Sequence, residues 1–319
     1  MNYIVFDLEW NQSPGGKNFE VEGLPFEIIE IGAVKLDEHR QIVDEFWHLV
    51  KPVVYHRMSR AVREVTGISN TKLKQGELFT EVYEKFTEWC GEEPVFCTWG
   101  PSDLTELQRN AAFHHLKMDF SYPLFYYDVQ KLFSLSCEDG RSRKSLKYAV
   151  EYLKLEETEG YHRAMSDALY TAKVMEKIDF ERVRSKISVD YYRVPRGRKE
   201  EIHLVFDTYA KDVSMSYQTR DELMKDRKLF STKCYICGKN AKRKIRWFSD
   251  NSRACYSVSF CPEHGWLKGK IRIRKSMDGR YFGIKTLKLI GDSEMEAIRE
   301  KKRSIQERRR NHRHEERQG

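Results

Sequence analysis

Hydrophobic residues in the first half of the chain form short uninterrupted runs that alternate with segments of helical periodicity. The first run, Tyr3 to Phe6, is continuously apolar and rich in β-forming residues, which predicts a strand buried on both faces. Further strands are predicted at about 27–37, 40–49, 94–98 and 125–128, a helix at about 103–115, and helices to about 178. This order of elements predicts an α/β domain.

The second half has a different pattern, in which basic and apolar residues alternate. The segments 242–248 and 271–275 are of this kind and predict short strands with one packed and one charged face. Beyond Ser293, the spacing of Met295, Ile298 and Ile305 indicates a thin helical face. A basic run at 308–314 follows, so we expect a basic helix that frays into a tail.

Charge is divided unevenly between the two halves. Residues 1–180 contain 21 Lys and Arg against 30 Asp and Glu, a net charge of −9, whereas the remainder carries 36 against 19, a net charge of +17. A basic appendage could neutralise the phosphates of a polyanion, or it could only aid solubility. Its strands, with nearby aromatic residues, could bind single-stranded nucleic acid, or they could form a small ribbon core with a solvated basic side; these aromatic residues are Tyr256, Trp266, Tyr281 and Phe282.

No apolar stretch approaches the roughly 20 residues that span a bilayer, and the N-terminus enters a strand at once. We therefore expect a soluble protein without membrane partners. Seven cysteines, an odd number, argue against a disulfide framework and for reduced thiols, which favours a cytoplasmic location.

Two ligand pairs in the basic half predict a structural zinc site. Cys234 and Cys237 are separated by two residues, as are Cys261 and His264, and a glycine follows each pair. Four such ligands in two knuckles are typical of one tetrahedral Zn²⁺. Cys255 is a rival ligand, but its spacing fits less well and we leave it out.

These observations predict four segments. They are an α/β domain at 1–183, a charged connector at 184–200, a small zinc-binding, β-rich domain resembling a zinc ribbon at 201–290, and a basic helical tail at 291–319.

The apolar run that opens the chain ends in two carboxylates, Asp7 and Glu9. Side chains at i and i+2 of a strand point to the same side, so the two project together. Carboxylates held close repel each other unless a cation lies between them, and Mg²⁺ or Mn²⁺ prefers oxygen ligands. A solvated edge or a turn cap is the alternative for this pair taken alone.

Three more polar residues complete a candidate site. Asp103 opens a predicted helix after the apolar run 94–99, where it could also cap that helix. Asp167 falls in the first turn of a later helix, and His162 lies in the loop just before it.

Together, Asp7, Glu9, Asp103 and the His162/Asp167 pair resemble the three exonuclease motifs of the DEDDh superfamily. The resemblance covers residues 1 to about 180. Two further short motifs, Thr-Gly-Ile at 66–68 and Thr-Trp-Gly at 98–100, are most similar to those of the Eri1-type and KapD-like branch of 3′-5′ exonucleases. The resemblance to the DEDDh superfamily implies a ribonuclease H-like fold, in which helices flank a mixed sheet.

The resemblance also implies roles for these residues. Asp7, Glu9 and Asp167 would hold one Mg²⁺ or Mn²⁺, Asp7 would bridge to a second, and Asp103 would help to bind that second ion. His162 would take the proton of the attacking water, and Trp10 would contact the terminal nucleotide, although packing is the alternative for this indole.

The expected function is metal-dependent 3′-5′ exonuclease activity on single-stranded 3′ ends, with two catalytic Mg²⁺ or Mn²⁺ ions and RNA favoured as substrate. A DNA-directed exonuclease is the close alternative. A catalytically silent nucleic-acid-binding regulator is the alternative from another class, and a scaffold of that kind has no need of mutually repelling carboxylates. The oligomeric state is left open.

Overall fold

The computed structural model describes residues 2–140, 142–157, 160–250 and 254–318, with side chains described up to residue 311. The chain forms two compact units, Met1–Asp190 and Tyr191–Gly319. Of the helices in these ranges, none is long and apolar enough to cross a membrane.

The first unit contains one six-stranded sheet with helices on both faces. Its strand order is β3-β2-β1-β4-β5-β6, with β1 parallel to β4 and antiparallel to β2. The sheet is therefore mixed, and the predicted α/β, ribonuclease H-like fold is confirmed. The elements are β1 (Tyr3–Gln12), β2 (Phe26–Leu36), β3 (Ile42–Leu49), α1 (Arg60–Thr66), α2 (Asn70–Leu73), α3 (Phe79–Cys90), β4 (Val95–Thr98), α4 (Ser102–Phe113), β5 (Phe125–Asp128), α5 (Val129–Cys137), α6 (Leu146–Tyr152), α7 (Ala164–Lys177), α8 (Phe180–Val183) and β6 (Ser188–Val189).

Strand β1 is buried on both faces, which explains its continuous apolar run. Ile4 and Phe6 pack into a core that includes residues of α3 and α4. Tyr3 and Val5 point the other way, into a core that includes residues of α5, α6 and α7. Asp7 and Glu9 continue the second face towards the end of the strand, so they lie on the side of the sheet that α7 covers.

Helix α7 approaches the sheet closely at Gly32 of β2. A Cβ atom at Gly32 would lie 2.2 Å from the backbone carbon of Ala164 and 2.2 Å from the nitrogen of Met165. Only a glycine permits this contact, because a real Cβ atom needs roughly 3.5 Å to a neighbouring carbon. The first turn of α7 is thereby seated directly on β2.

The second unit contains a six-stranded antiparallel sheet in the order β7-β8-β12-β11-β10-β9. The predicted strands at 242–248 and 271–275 lie within β9 and β11. The elements are β7 (Ile202–Val205), β8 (Tyr209–Val213), α9 (Arg220–Met224), β9 (Lys242–Ser249), β10 (Ala254–Cys261), β11 (Gly265–Lys275), β12 (Tyr281–Ile290) and α10 (Asp292–Gln318).

The long C-terminal helix α10 packs on this sheet through its thin apolar face. Met295 and Ile298 contact Ile245 and Val258, and Ile305 is also buried. The segment expected to fray is helical through Gln318. The side chains of the basic run beyond residue 311 lie outside the described residues.

Candidate active site

Strand β1 presents two carboxylates beside β2. Asp7 is paired with Gly32 and Glu9 with Glu30 in the antiparallel register, and the register shifts immediately after Glu9. A bulge of this kind bends a strand and re-aims its side chains. Both carboxylates are half-buried.

Asp103 reaches the same strand from the first turn of α4. Its Oδ1 atom accepts a hydrogen bond from the backbone N–H of Leu8, at 3.3 Å, and the residue is only 5% exposed. Pro101 occupies the N-cap position of α4, so Asp103 is not the helix cap. The structure therefore holds this carboxylate against the backbone of Leu8, the residue between Asp7 and Glu9 in the chain.

His162 and Asp167 come from the loop before α7 and from its first turn, as predicted. The backbone N–H of His162 donates to Oδ2 of Asp167 at 3.1 Å. His162 has a φ of 65°, in the left-handed region that costs a non-glycine residue energy and is common at functional sites. Its side chain is exposed, and potential ligand atoms of Glu9, His162 and Asp167 lie within 4.8 Å of one another.

The four carboxylates are close enough to perturb one another. Burial, followed by repulsion from Asp103, raises the pKa of Asp7 well above its usual range. Burial and repulsion from Asp167 raise the pKa of Glu9 to about 8. Burial raises the pKa of Asp103 to about 7 despite two backbone hydrogen bonds, and burial also raises that of Asp167. Repulsion within this cluster is relieved either when some of the carboxylates are protonated or when a cation binds among them.

The donor set fits a hard divalent cation. All four acidic groups offer oxygen, the ligand that Mg²⁺ and Mn²⁺ prefer. Oδ1 of Asp167 is buried, and among the described residues no donor reaches it. Buried polar atoms normally have a partner, so this oxygen lacks one that a bound ion would supply.

A second layer of residues, absent from the sequence prediction, holds the start of α7. Glu30 is fully buried and accepts hydrogen bonds from Nη2 of Arg163 (2.6 Å), Nε1 of Trp47 (2.6 Å) and the backbone N–H of Ala164 (3.2 Å). A single carboxylate inside the apolar segment 28–31 was the available signal, because a buried charge requires a partner. The contact between Glu30 and Arg163 fixes the loop that carries His162.

Trp10, which follows Glu9 in the chain, is half-buried. Its ring packs at the edge of the first core, with its centroid 5.7 Å from that of Phe26. Contact with a terminal nucleotide stays a prediction for this residue.

In the second unit, the four predicted zinc ligands converge. Sγ of Cys234 lies 3.7 Å from Nδ1 of His264, Sγ of Cys237 lies 3.6 Å from Sγ of Cys261, and all four ligand atoms lie within 4.8 Å of one another. A tetrahedral Zn²⁺ with Zn–S bonds of about 2.3 Å separates its ligands by roughly 3.8 Å, so the cluster fits this ion. Cys255 belongs to a different core cluster, with Leu223 and Ile271.

Comparison with known proteins agrees with this geometry. The profile of the RNase_T family, described as exonuclease, matches residues 4–175. The chain is similar to the probable 3′-5′ exonuclease KapD of Bacillus subtilis, with 26% identity over 178 residues that cover 55% of this chain and 83% of KapD. It is also 29% identical over 199 residues to the DNA polymerase III subunit epsilon of Aquifex aeolicus, covering 62% and 90% of the two chains.

Among solved structures, the first unit resembles the nuclease domain of 3′hExo, a DEDDh family member, bound to rAMP. The TM-score is 0.51 at 20% identity, and the match covers 60% of this chain and 96% of that domain. At this level of identity the similarity shows a shared fold.

Proposed function

Since the chain belongs to the RNase_T exonuclease family and is a DEDDh-type 3′-5′ exonuclease, we propose that it removes nucleotides from single-stranded 3′ ends with two divalent cations and His162 as general base. The observation that carries this proposal is the convergence of four carboxylates from β1, α4 and α7 beside one exposed imidazole.

Asp7, Glu9 and Asp167 would hold one Mg²⁺ or Mn²⁺, and Asp7 and Asp103 the other. Bound ions of this kind lower the pKa of an attacking water and stabilise the oxygens of an in-line phosphoryl displacement. The unpartnered Oδ1 of Asp167 and the raised pKa values of Glu9 and Asp103 support a cation here.

His162 is suited to accept the proton of the water that attacks the phosphorus. Neutral imidazole has an unperturbed pKa near 6.5 and can act as a base at neutral pH. The hydrogen bond from its backbone to Asp167 holds the residue beside the carboxylates, while its exposed ring faces solvent, from which substrate enters.

RNA is the proposed substrate, on the strength of the KapD-like motifs. The similarity to the DNA polymerase III epsilon subunit favours DNA as the second candidate. We further propose that Cys234, Cys237, Cys261 and His264 bind one structural Zn²⁺ and that the basic second unit contributes nucleic-acid binding.

Matched labelled RNA and DNA oligonucleotides, incubated with Mn²⁺, test this proposal. We expect ladders that shorten from the 3′ end, faster for RNA, and little cleavage when a 3′-phosphate blocks the end. EDTA should abolish cleavage and added Mg²⁺ should restore it. Asp7→Ala and His162→Ala should each lower the rate by at least about 10²-fold; full activity in either variant would remove its assigned role.

A further inference from the structure

The two faces of the second sheet carry different residues. In the pairing of β11 with β12, Lys268 lies opposite Lys288, Lys270 opposite Thr286, and Arg272 opposite Ile284. These residues share one face, because directly paired side chains of antiparallel strands point the same way. The opposite face carries Cys255, Ile271 and Ile273, which Leu223 and Leu229 cover.

Helix α10 packs on the basic face over β9, β10 and the first residues of β11. Met295 and Ile298 pack there, and Nζ of Lys301 lies 4.1 Å from the ring centroid of Tyr256. At the margin of the helix, Lys268 is neutralised by Glu294 at 2.6 Å. Lys270, Arg272 and Arg274 of β11 lie beyond this margin, and Lys288 of β12 lies at it, opposite Lys268. We call these four residues the open basic face.

Three cations of the open basic face have no carboxylate partner in the described part of the second unit. Within the ranges that the structure describes, no carboxylate lies within ion-pair distance of the exposed Arg272, Arg274 or Lys288. On the opposite face, buried Lys285 is paired with Asp212 at 3.0 Å. An external anion would supply the missing partner.

The arrangement is linear. Alternate residues of a strand lie roughly 6.6 Å apart, so Lys270, Arg272 and Arg274 form a row of about 13 Å. Lys288 of the adjacent strand lies opposite Lys268, diagonally about 7–8 Å from Lys270, and so extends the row at that end. A linear series of anions fits such a row better than a single small anion does.

Three aromatic residues near this face make contacts within the unit, and Tyr281 belongs to the cluster on the opposite face. Phe282 is 2% exposed, Trp266 packs against Phe260 with its Nε1 donating to Asp292, and the ring of Tyr256 is occupied by lysine side chains. Contacts from this face would therefore be made to phosphates and not to bases.

We propose that the open basic face binds the phosphodiester backbone of the single-stranded nucleic acid that the first unit trims. This inference rests on the proposed function, since the first unit carries a net charge of −9 over residues 1–180 and needs an attractive surface for a polyanion. Binding should be independent of base sequence and strongly dependent on salt.

The test compares two charge-matched triple variants of the full chain. The first is Arg272→Gln, Arg274→Gln and Lys288→Gln. The control removes three exposed cations near the segment that covers the opposite face: Lys225→Gln, Arg227→Gln and Lys233→Gln. Both sets are placed in an Asp7→Asn background to prevent cleavage, and binding of a labelled single-stranded oligonucleotide is measured by fluorescence anisotropy across a range of KCl concentrations.

We expect the slope of log K against log salt to fall in magnitude by about 2 in the first triple, at about 0.7 per phosphate contact. At about 0.1 M salt its Kd should rise at least 10-fold. The control should keep the parental slope. Equal effects in both triples, or no change in the first, would overturn the proposal.

A separate measurement distinguishes this proposal from the proposed function. With the catalytic residues intact, the first triple should cleave a trinucleotide at the parental rate and a long oligonucleotide with at least 10-fold lower kcat/KM. Absence of trinucleotide cleavage in the parental protein would contradict the proposed function, whereas the anisotropy slopes would still decide the binding face.

Discussion

Replacement of Gly32 by alanine tests how α7 is positioned over the carboxylates. The new Cβ atom would lie 2.2 Å from the backbone of Ala164 and Met165, against an ordinary carbon–carbon contact of about 3.5 Å. The first turn of α7 must therefore retreat by about 1 Å. That turn carries Asp167 and follows His162, and a displacement of about 1 Å can cost roughly 10²-fold in rate. The overpacking itself should cost about 1–3 kcal/mol of stability.

The assay is the rate of 3′ nucleotide release at saturating Mn²⁺, together with the Mn²⁺ concentration that gives half the maximal rate. We expect Gly32→Ala to lower the rate about 100-fold and to weaken the Mn²⁺ response, while circular dichroism shows a folded protein. Gly197→Ala is the control, because a Cβ atom there meets no atom within 4 Å. A Gly32→Ala protein with parental rate and Mn²⁺ response would refute the argument that α7 is seated on β2.

Three further predictions follow from the same structure. Glu30→Gln leaves the charge of Arg163 without its buried counterion and should cost about 2–3 kcal/mol in chemical denaturation, with Glu38→Gln, at an exposed position, as the neutral control. The pKa of Glu9, raised to about 8, predicts that without Mg²⁺ the stability falls as pH rises from about 4.5 to 8, because the folded state retains protons that the unfolded state has released; thermal melts should show this fall, and a stabilisation by Mg²⁺ that grows with pH. Cys234→Ser should reduce bound zinc from one to none per chain by atomic emission and destabilise the second unit, whereas Cys255→Ser should keep the metal.

The secondary structure of the first unit follows closely from its sequence pattern. The predicted strand at 125–128 and the predicted helix at 103–115 correspond to β5 (Phe125–Asp128) and α4 (Ser102–Phe113). Uninterrupted apolar runs mark strands that are buried on both faces, so the pattern was unambiguous where the sheet is central. The family prediction is confirmed, because the exonuclease profile matches residues 4–175.

The sequence indicated which residues form the carboxylate site and the zinc cluster. It did not indicate the residues that hold the carboxylate site in position. Motif spacing indicated Asp7, Glu9, Asp103 and Asp167, whereas Glu30 lies within an apolar segment, and its partner Arg163 is 133 residues away along the chain. No local pattern connects two residues at that separation, because their contact depends on how α7 crosses β2.

The sequence by itself determined the alternation of strands and helices, the ligand types and the surplus of positive charge, because these depend on periodicity, chemistry and composition. Tertiary structure decided which cations of the second sheet are paired with carboxylates and which are exposed without a carboxylate partner. It also decided which aromatic rings are buried or in contact with other side chains. It also decided that Gly32 admits the start of α7. The physical reason is that burial and counterion contact depend on packing between elements distant in the chain.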